Sequence, residues 1–219
     1  MDFRFLFDPV RKLLAIGYNA AERRCDPGYY DLLASESRLA SFLAISHGQI
    51  PCEHWFALGR MVTLVDGEAT LLSWSGSMFE YLMPMLVMPS YPGTLLDLSC
   101  RAAVRHQIRH ARRRGVPWGI SESCYHRTED NLAYCYRAFG VPGLGLDRDL
   151  SDHLVIAPYA SALAAMVAPR EACLNLERLE RLGSLSPFGF YDAIDYSSPR
   201  GRPVPCRTVM AHHSGMTLV

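Results

Sequence analysis

The sequence predicts a mainly α-helical fold that carries a small β-hairpin and long functional loops. Three observations support this. Apolar residues recur at helical spacing in several segments bounded by cap residues and glycines. The run MVTLVDGEATLLSW breaks at Asp66-Gly67 into two short apolar strands. Residues 116–150 are rich in glycine, proline and aromatics, and a stretch of that length is too long for a plain connector.

From Asp26 to Gly48 the chain reads as one helix, with Asp26 as N-cap, Pro27 at the first helical position and Gly48 as the stop. Leu32, Leu39, Ala40 and Leu43 form its apolar stripe. Glu36 lies four residues after Leu32 and four before Ala40, so this reading sets its carboxylate on the apolar face. SGSMFEYLMPMLVM reads as a helix entered at Ser75 or Ser77 and ended near Pro84. A long helix follows, apolar at Leu95, Leu98, Ala102 and Ile108 and closed by Gly115. Its last turns carry Arg109, Arg112, Arg113 and Arg114, where cations suit the helix dipole and a solvated turn is expected. His106 and His110, four apart and with no third ligand nearby, are expected at the surface. Pro158 and Pro169 bracket a helical hairpin stopped by Gly183. FGFYDAIDYS reads as a short strand-like stretch, and MAHHSGMTLV opens another helix, for six or seven helices in all.

Composition removes several function classes. With 49% apolar residues the 219-residue chain can bury a core, which excludes disorder. The 22 basic and 22 acidic side chains cancel, which argues against nucleic acid as a partner, since such domains are usually basic. Seven cysteines, widely spaced and without C-x-x-C, form neither a disulfide framework nor a zinc signature. Free thiols and an N-terminus without a secretory signal predict a cytoplasmic location. The longest apolar stretch, Leu154 to Ala168, is broken by Pro158 and Ser161 and is shorter than the roughly 18 residues a span requires, so no membrane segment is expected. No metal or cofactor is expected either: G-x-S-x-G, H-E-x-x-H, P-loop and G-x-G-x-x-G motifs are all absent from the sequence.

What remains is a set of acids in apolar and aromatic surroundings: Glu36 in LLASESRLASF, Glu80 in WSGSMFEYLMP, Glu122 in PWGISESCY, and Asp192 and Asp195 in FYDAIDY. Trp55, Trp74, Trp118, Tyr125, Tyr134, Tyr136, Phe188 and Tyr191 accompany them. Glycoside chemistry needs one carboxyl to protonate the leaving oxygen and a second to attack the anomeric carbon or activate water. An apolar setting keeps the first protonated by penalising its charged form. On residue type alone, Glu36 reads more often as the buried partner of an arginine, here Arg38, Arg60 or Arg137, and aromatic loop residues more often as packing.

The runs FDPVRKLLAIGYN, YYDLLASESRLASFLAISHG, HWFALGR, LLSWSGSMFEYLMP, GVPWGISES, YRAFGVPGLGL, LVIAPYASALAAMV, GFYDAIDY and MAHHSGM, in order along nearly the whole chain, together resemble the glycoamylase-like domain family. They resemble in particular the middle, cyclisation region of bacterial cyclic β-1,2-glucan synthases, which are large membrane enzymes. The resemblance implies an α/α barrel of six helical hairpins with a sugar cleft at one end, acting on a β-1,2-glucan oligosaccharide or polysaccharide. The action implied is retaining transglycosylation that closes a ring, or endo-hydrolysis as in stand-alone relatives. It also implies Glu36 as general acid/base, Glu122 as nucleophile, and Trp74, Glu80, Trp118, Tyr125, Arg137 and His212 as residues lining the cleft. Retaining action expects the two carboxyls about 5 to 5.5 Å apart, and inverting action roughly 6.5 to 9.5 Å. Twelve helices averaging about 12 residues need more than this chain holds, so an incomplete barrel is expected. On this reading residues 1–219 are one glycoamylase-like domain cut at both ends, with the rest of a membrane-bound glucan synthase as a partner. The alternative is a non-catalytic carbohydrate-binding remnant.

Overall fold

The computed structural model describes residues 2–126, 135–147, 153–197 and 202–219. Among these are seven α-helices and six small antiparallel sheets, so the fold is mainly helical with more strand than the one expected hairpin. Tyr134 lies outside the described residues.

Strands β1 (Phe7–Asp8), β2 (Leu13–Ala15) and β5 (Tyr29–Tyr30) form one sheet, with Leu14 opposite both Phe7 and Tyr30. A small hairpin, β3 (Tyr18–Asn19) and β4 (Arg24–Cys25), interrupts it. The expected helix from Asp26 is therefore corrected. Tyr29 and Tyr30 are extended and bonded to β2, and the helix α1 runs only from Arg38 to Ser46. Aromatic residues paired against Leu14 and Ala15 gain more from the sheet than from a helical turn, so tertiary pairing overrides the local helix signal.

Helix α2 (Glu53–Ala57) leads to the hairpin β6 (Val62–Val65) and β7 (Glu68–Leu71). Its two turn residues, Asp66 and Gly67, both have positive φ, at 49° and 82°, as the Asp-Gly signal predicts. Helix α3 (Met78–Leu82) starts at Ser77 with a reciprocal capping box to Glu80 and tightens into a 3₁₀ turn at Met83–Leu86 around Pro84. Helix α4 (Leu95–Arg114) is capped by Thr94 and closed by left-handed Gly115 at φ 71°.

The buried face of α4 differs from expectation. Leu95 and Leu98 are exposed, Leu98 by 50%, while Cys100, Ala103, Val104 and Ala111 are buried in the main core cluster with residues of α3 and β7. Small side chains let the helix approach closely there. His106 is buried, not superficial. Its ring nitrogens lie 3.1 Å from Asp66 Oδ2 and 3.1 Å from the Pro142 carbonyl, so it does not pair with His110. The basic end of α4 is likewise not simply solvated: Arg113 donates to Asp66, and Arg105 and Arg109 donate to Glu68, which staples the hairpin turn to the helix.

Strands β8 (Ser123–Cys124) and β9 (Tyr136–Arg137) pair within the long loop region. Strand β10 (Val155–Ile156) precedes the expected helical hairpin, α5 (Pro158–Ala164) and α6 (Pro169–Arg181), each with proline in its first turn. A tight hairpin, β11 (Leu185–Ser186) and β12 (Gly189–Phe190), leads to β13 (Ala193–Asp195) and β14 (Val204–Cys206), which form a sheet in the order β10-β13-β14. Helix α7 (Ala211–Leu218) follows. No helix among the described residues is long and apolar enough to cross a membrane, and all seven cysteines are free thiols.

The core centres on α3 and α5, where Met78, Tyr81, Leu82, Ala160 and Leu163 are fully buried together with Ile120, Phe139 and Ile156. The segment Trp118–Ile120 threads between helices and is clamped from both sides. Gln107 of α4 bonds Ile120 through both its amide atoms, at 2.7 and 2.8 Å, and Asn175 of α6 bonds the N–H and carbonyl of Trp118 at 3.2 and 2.8 Å. Between them Gly119 sits at φ 125°, and a Cβ there would meet the Ala157 carbonyl oxygen at 2.9 Å. Only glycine fits this crossing.

Glu80 organises the other approach to α3. Its buried carboxylate accepts the N–H groups of Trp74, Ser75 and Ser77 and the hydroxyls of Ser73, Ser75 and Ser77. Glu80→Gln places an amide NH₂ among those donors. It is expected to lower unfolding free energy by about 2–4 kcal/mol in urea denaturation.

Candidate active site

Helix α3 is the common anchor of the two segments that carry Glu36 and Glu122. Ser35, Glu36 and Ser37 form a turn directly before α1, so Glu36 stands in a serine-rich turn and not on the helix face that the sequence pattern proposed. The next residue, Arg38, is buried and holds that turn in place. Its guanidinium donates to the carbonyls of Ser35 at 2.9 Å, Glu80 at 2.6 Å and Tyr81 at 2.5 Å. Arg38 thus spends its hydrogen bonds on backbone and joins the turn to α3 instead of neutralising Glu36. Arg60 likewise donates to the carbonyls of Trp55, Phe56 and Leu58.

From the other side, the Met78 N–H donates to the Ile120 carbonyl and the Phe79 N–H to Ser121 Oγ, which also bonds the Tyr159 hydroxyl at 2.8 Å. Tyr159 in turn donates to the Glu122 carbonyl at 3.1 Å. The backbone of Glu122 is therefore fixed by α3 and α5 while its side chain stays partly open.

Both carboxyls are shifted toward the neutral form. Burial pushes Glu36 up, and the charge of Glu80 adds to the effect, against hydrogen bonds from its own backbone and from Ser35. Burial pushes Glu122 up to about 7, with the charges of Glu36 and Glu80 adding, and the Tyr136 hydroxyl, 3.3 Å from Oε2, opposing. The phenol of Tyr30 is raised by burial and by both of these carboxylates, so β5 places Tyr30 beside the pair. Two half-buried carboxyls that favour protonation, one of them sensing the other's charge, can divide acid and nucleophile roles.

The remaining predicted residues separate into two groups. Trp74 is 47% exposed, held by its backbone on Glu80, and His212 is exposed with its ring 4.0 Å from that of His213. Arg137 is half-buried on β9 opposite Ser123, and Tyr125 packs edge-on against Phe139 with ring centroids 5.7 Å apart. Glu80 and Trp118 form the second group. Glu80 is only 3% exposed and its carboxylate is saturated by internal donors, and Trp118 is only 6% exposed, bonded through its backbone to Asn175 in the core. Both side chains are buried, unlike those of Trp74 and His212.

Sequence reasoning missed Tyr30, Tyr159 and the role of His213. His213 is buried, with Nδ1 2.5 Å from Asp192 Oδ1 and its ring stacked on Tyr159 at 3.7 Å. Burial alone would raise Asp192, but His213 and the Cys124 N–H, donating at 2.6 Å, bring it below the usual carboxylate range. The only readable signal was the juxtaposition of aromatic and acidic residues in FYDAIDY with MAHHSGM. A cavity of about 150 Å³ lies against Asp192 and His213, between Phe188, Tyr191 and Met210, and neither Glu36 nor Glu122 lines it. No group of three His, Cys, Asp or Glu side chains among the described residues could hold a metal ion.

Comparisons with known proteins agree with this architecture. The chain is 48% identical over its whole length to part of the cyclic beta-(1,2)-glucan synthase NdvB of Rhizobium meliloti, of which it spans 8%. A "putative glucoamylase" from Bacteroides caccae superposes with a TM-score of 0.72 at 18% identity, covering 99% of this chain and 55% of that one. The endo-beta-1,2-glucanase from Chitinophaga pinensis, in complex with sophorotriose and glucose, superposes with a TM-score of 0.69 at 16% identity, covering 95% and 52%. At those identities the likeness shows the fold alone, and the chain spans about half the length of either structure. The Glycoamylase family profile, described as "Putative glucoamylase", matches residues 28–219, and the chain accordingly belongs to the glycoamylase-like family.

Proposed function

We propose that this chain carries a site for two-carboxylate glycoside chemistry on β-1,2-glucan, with Glu36 as general acid/base and Glu122 as nucleophile. The observation that carries the reading is that α3 anchors both the turn bearing Glu36 and the segment bearing Glu122, two carboxyls raised by burial, with the charge of Glu36 adding to the shift of Glu122; the division of roles between them follows the family resemblance. An acid that keeps its proton near neutral pH can protonate the departing glycosidic oxygen. A neighbouring carboxylate, once ionised, can attack the anomeric carbon to form a glycosyl-enzyme. A sugar hydroxyl that then takes up the chain end gives transglycosylation or ring closure, and water gives endo-hydrolysis. Exposed Trp74 offers an aromatic face for a sugar ring, and Arg137 and His212 offer polar edges. The named relatives, a cyclic glucan synthase and an endo-glucanase of the same linkage, support β-1,2-glucan as the substrate class. We further propose that residues 1–219 lie within one glycoamylase-like domain of the α/α-barrel type, working beside the rest of a larger glucan synthase in the cytoplasm.

A second reading, carbohydrate binding without turnover, is favoured by one observation: the chain covers only 52–55% of the two structures described above. Incubation of the purified chain with linear β-1,2-glucan, followed by mass spectrometry of the products, separates the two. Shortened or cyclic glucans are expected, and binding without new products favours the second reading. Glu122→Gln and Glu36→Gln should each reduce product formation at least 1,000-fold, equivalent to about 4 kcal/mol of transition-state stabilisation. Full activity in Glu122→Gln would sink the assignment.

The raised Glu122 carboxyl also sets a pH dependence of stability. It holds its proton up to about pH 7 when folded and to about 4.5 when unfolded, so the folded state binds more protons between those values. Stability is therefore greatest below that window, falls as pH rises through it, and levels off above. Glu122→Gln removes the charge. The variant should match the parent near pH 4.5 and exceed it by about 1–3 kcal/mol at pH 8 in urea melts.

A further inference from the structure

We propose that Tyr136, held in line by the buried pair of Asp192 and His213, is the positioning residue that orients the Glu122 carboxylate and supplies it with a hydroxyl donor. The proposal rests on reading Glu122 as the catalytic nucleophile. Four groups from four separate segments form a continuous file. Asp192 precedes β13, His213 lies on α7, Tyr136 on β9, and Glu122 just before β8. Asp192 Oδ1 is 2.5 Å from His213 Nδ1, His213 Nε2 is 3.4 Å from the Tyr136 hydroxyl, and that hydroxyl is 3.3 Å from Glu122 Oε2.

The geometry at the far end is rigid. Asp192 and His213 are both buried, and the second oxygen of Asp192 takes the Cys124 N–H two residues beyond Glu122. The imidazole also lies flat on Tyr159, 3.7 Å away and 15° from parallel, and Tyr159 fixes the Glu122 carbonyl. The backbone that follows Glu122 is thus held at its carbonyl by Tyr159 and at the Cys124 N–H by Asp192, while Nε2 of His213 faces Tyr136. The two outer contacts are long, as such bonds often are before substrate closes a site.

The direction of the file follows from the ring protons. When both ring nitrogens of His213 carry protons, Nδ1–H donates to Asp192, Nε2–H donates to the Tyr136 oxygen, and the tyrosine proton is left to donate to Glu122. When Nε2 is bare it accepts the tyrosine proton, and Glu122 loses its donor. The groups facing the ring are Asp192, Tyr136 from β9, Tyr159 from α5 and His212 from its own helix, and the Tyr136 hydroxyl stands as donor to Glu122 Oε2, as in the first arrangement. A hydroxyl donor favours the ionised form of a carboxylate, which is the form a nucleophile needs.

The test uses the full chain with Tyr136→Phe and His213→Gln. The Glu122 carboxyl is followed by carbon NMR with ¹³C-labelled glutamate, assigned by loss of its signal in Glu122→Gln. Turnover of linear β-1,2-glucan is measured across pH in parallel. In Tyr136→Phe the Glu122 titration should move upward by about half a unit or more. The acidic limb of kcat/KM should move with it, and kcat should fall roughly 10- to 100-fold with KM changed by less than threefold. His213→Gln should move the titration in the same direction, and the double variant should be no worse than the more affected single variant. An unmoved Glu122 titration in either variant, with melting behaviour retained, overturns the proposal even if activity drops. If the unsubstituted chain turns over no β-1,2-glucan, the functional reading fails while the titration still decides whether Tyr136 and His213 act on Glu122.

Discussion

The buried carboxylate of Glu80 and the buried guanidinium of Arg38 meet the same short helix, and the rest of the site hangs on that helix. Glu80 gathers the serine-rich loop before α3 around one acceptor, while Arg38 ties the turn bearing Glu36 to the carbonyls of Glu80 and Tyr81. Neither group neutralises the other by a direct hydrogen bond, and each is satisfied by many dipoles. Buried charges dispersed in this way avoid the desolvation penalty that an isolated charge would carry. They also impose position, because a buried group that must satisfy several donors or acceptors at once tolerates few arrangements.

That constraint explains why the two candidate carboxyls are raised. Arg38 stands close to Glu36 in sequence, and its charge is the smallest of the influences that pull the carboxyl down. Turned inward to three carbonyls, it leaves burial as the dominant influence on Glu36. Glu122 has Tyr136 as its compensating donor against burial and two neighbouring acids. The environment thus shifts both carboxyls toward the neutral form, Glu122 to about 7.

Much of the helical frame was legible because its signals are local. Ser77 with Glu80, Thr94, Gly115, Pro158, Pro169 and Asp66-Gly67 each act through the backbone within a few residues, and each performs as its residue type requires. Errors arose where partners are distant in sequence. Tyr29 and Tyr30 follow a good helix start but pair with Leu14 and Ala15, so the helix begins a dozen residues late. Leu95 and Leu98 look like a buried stripe, yet the face α4 turns inward is the one whose small residues let it pack closely. For the candidate site, Glu36 and Glu122 stand out in the sequence by their context and by the family resemblance. The burial of Glu80 and Trp118, and the grouping of Tyr30, Tyr136, Asp192 and His213, depend on contacts that no spacing rule contains.

The separation of these residues along the chain has a consequence for assembly. Glu36, Glu80 and Glu122 arrive from three segments more than forty residues apart, and the charges that raise Glu36 and Glu122 reach them only once α3 has drawn the segments together. Before docking, each is an ordinary solvated glutamate with no reason to hold a proton at neutral pH. The raised carboxyls are therefore a property of tertiary closure and not of any one segment, and they appear late, with the long-range contacts that are slowest to form. A partly folded chain carries Glu36 and Glu122 and none of their perturbed character.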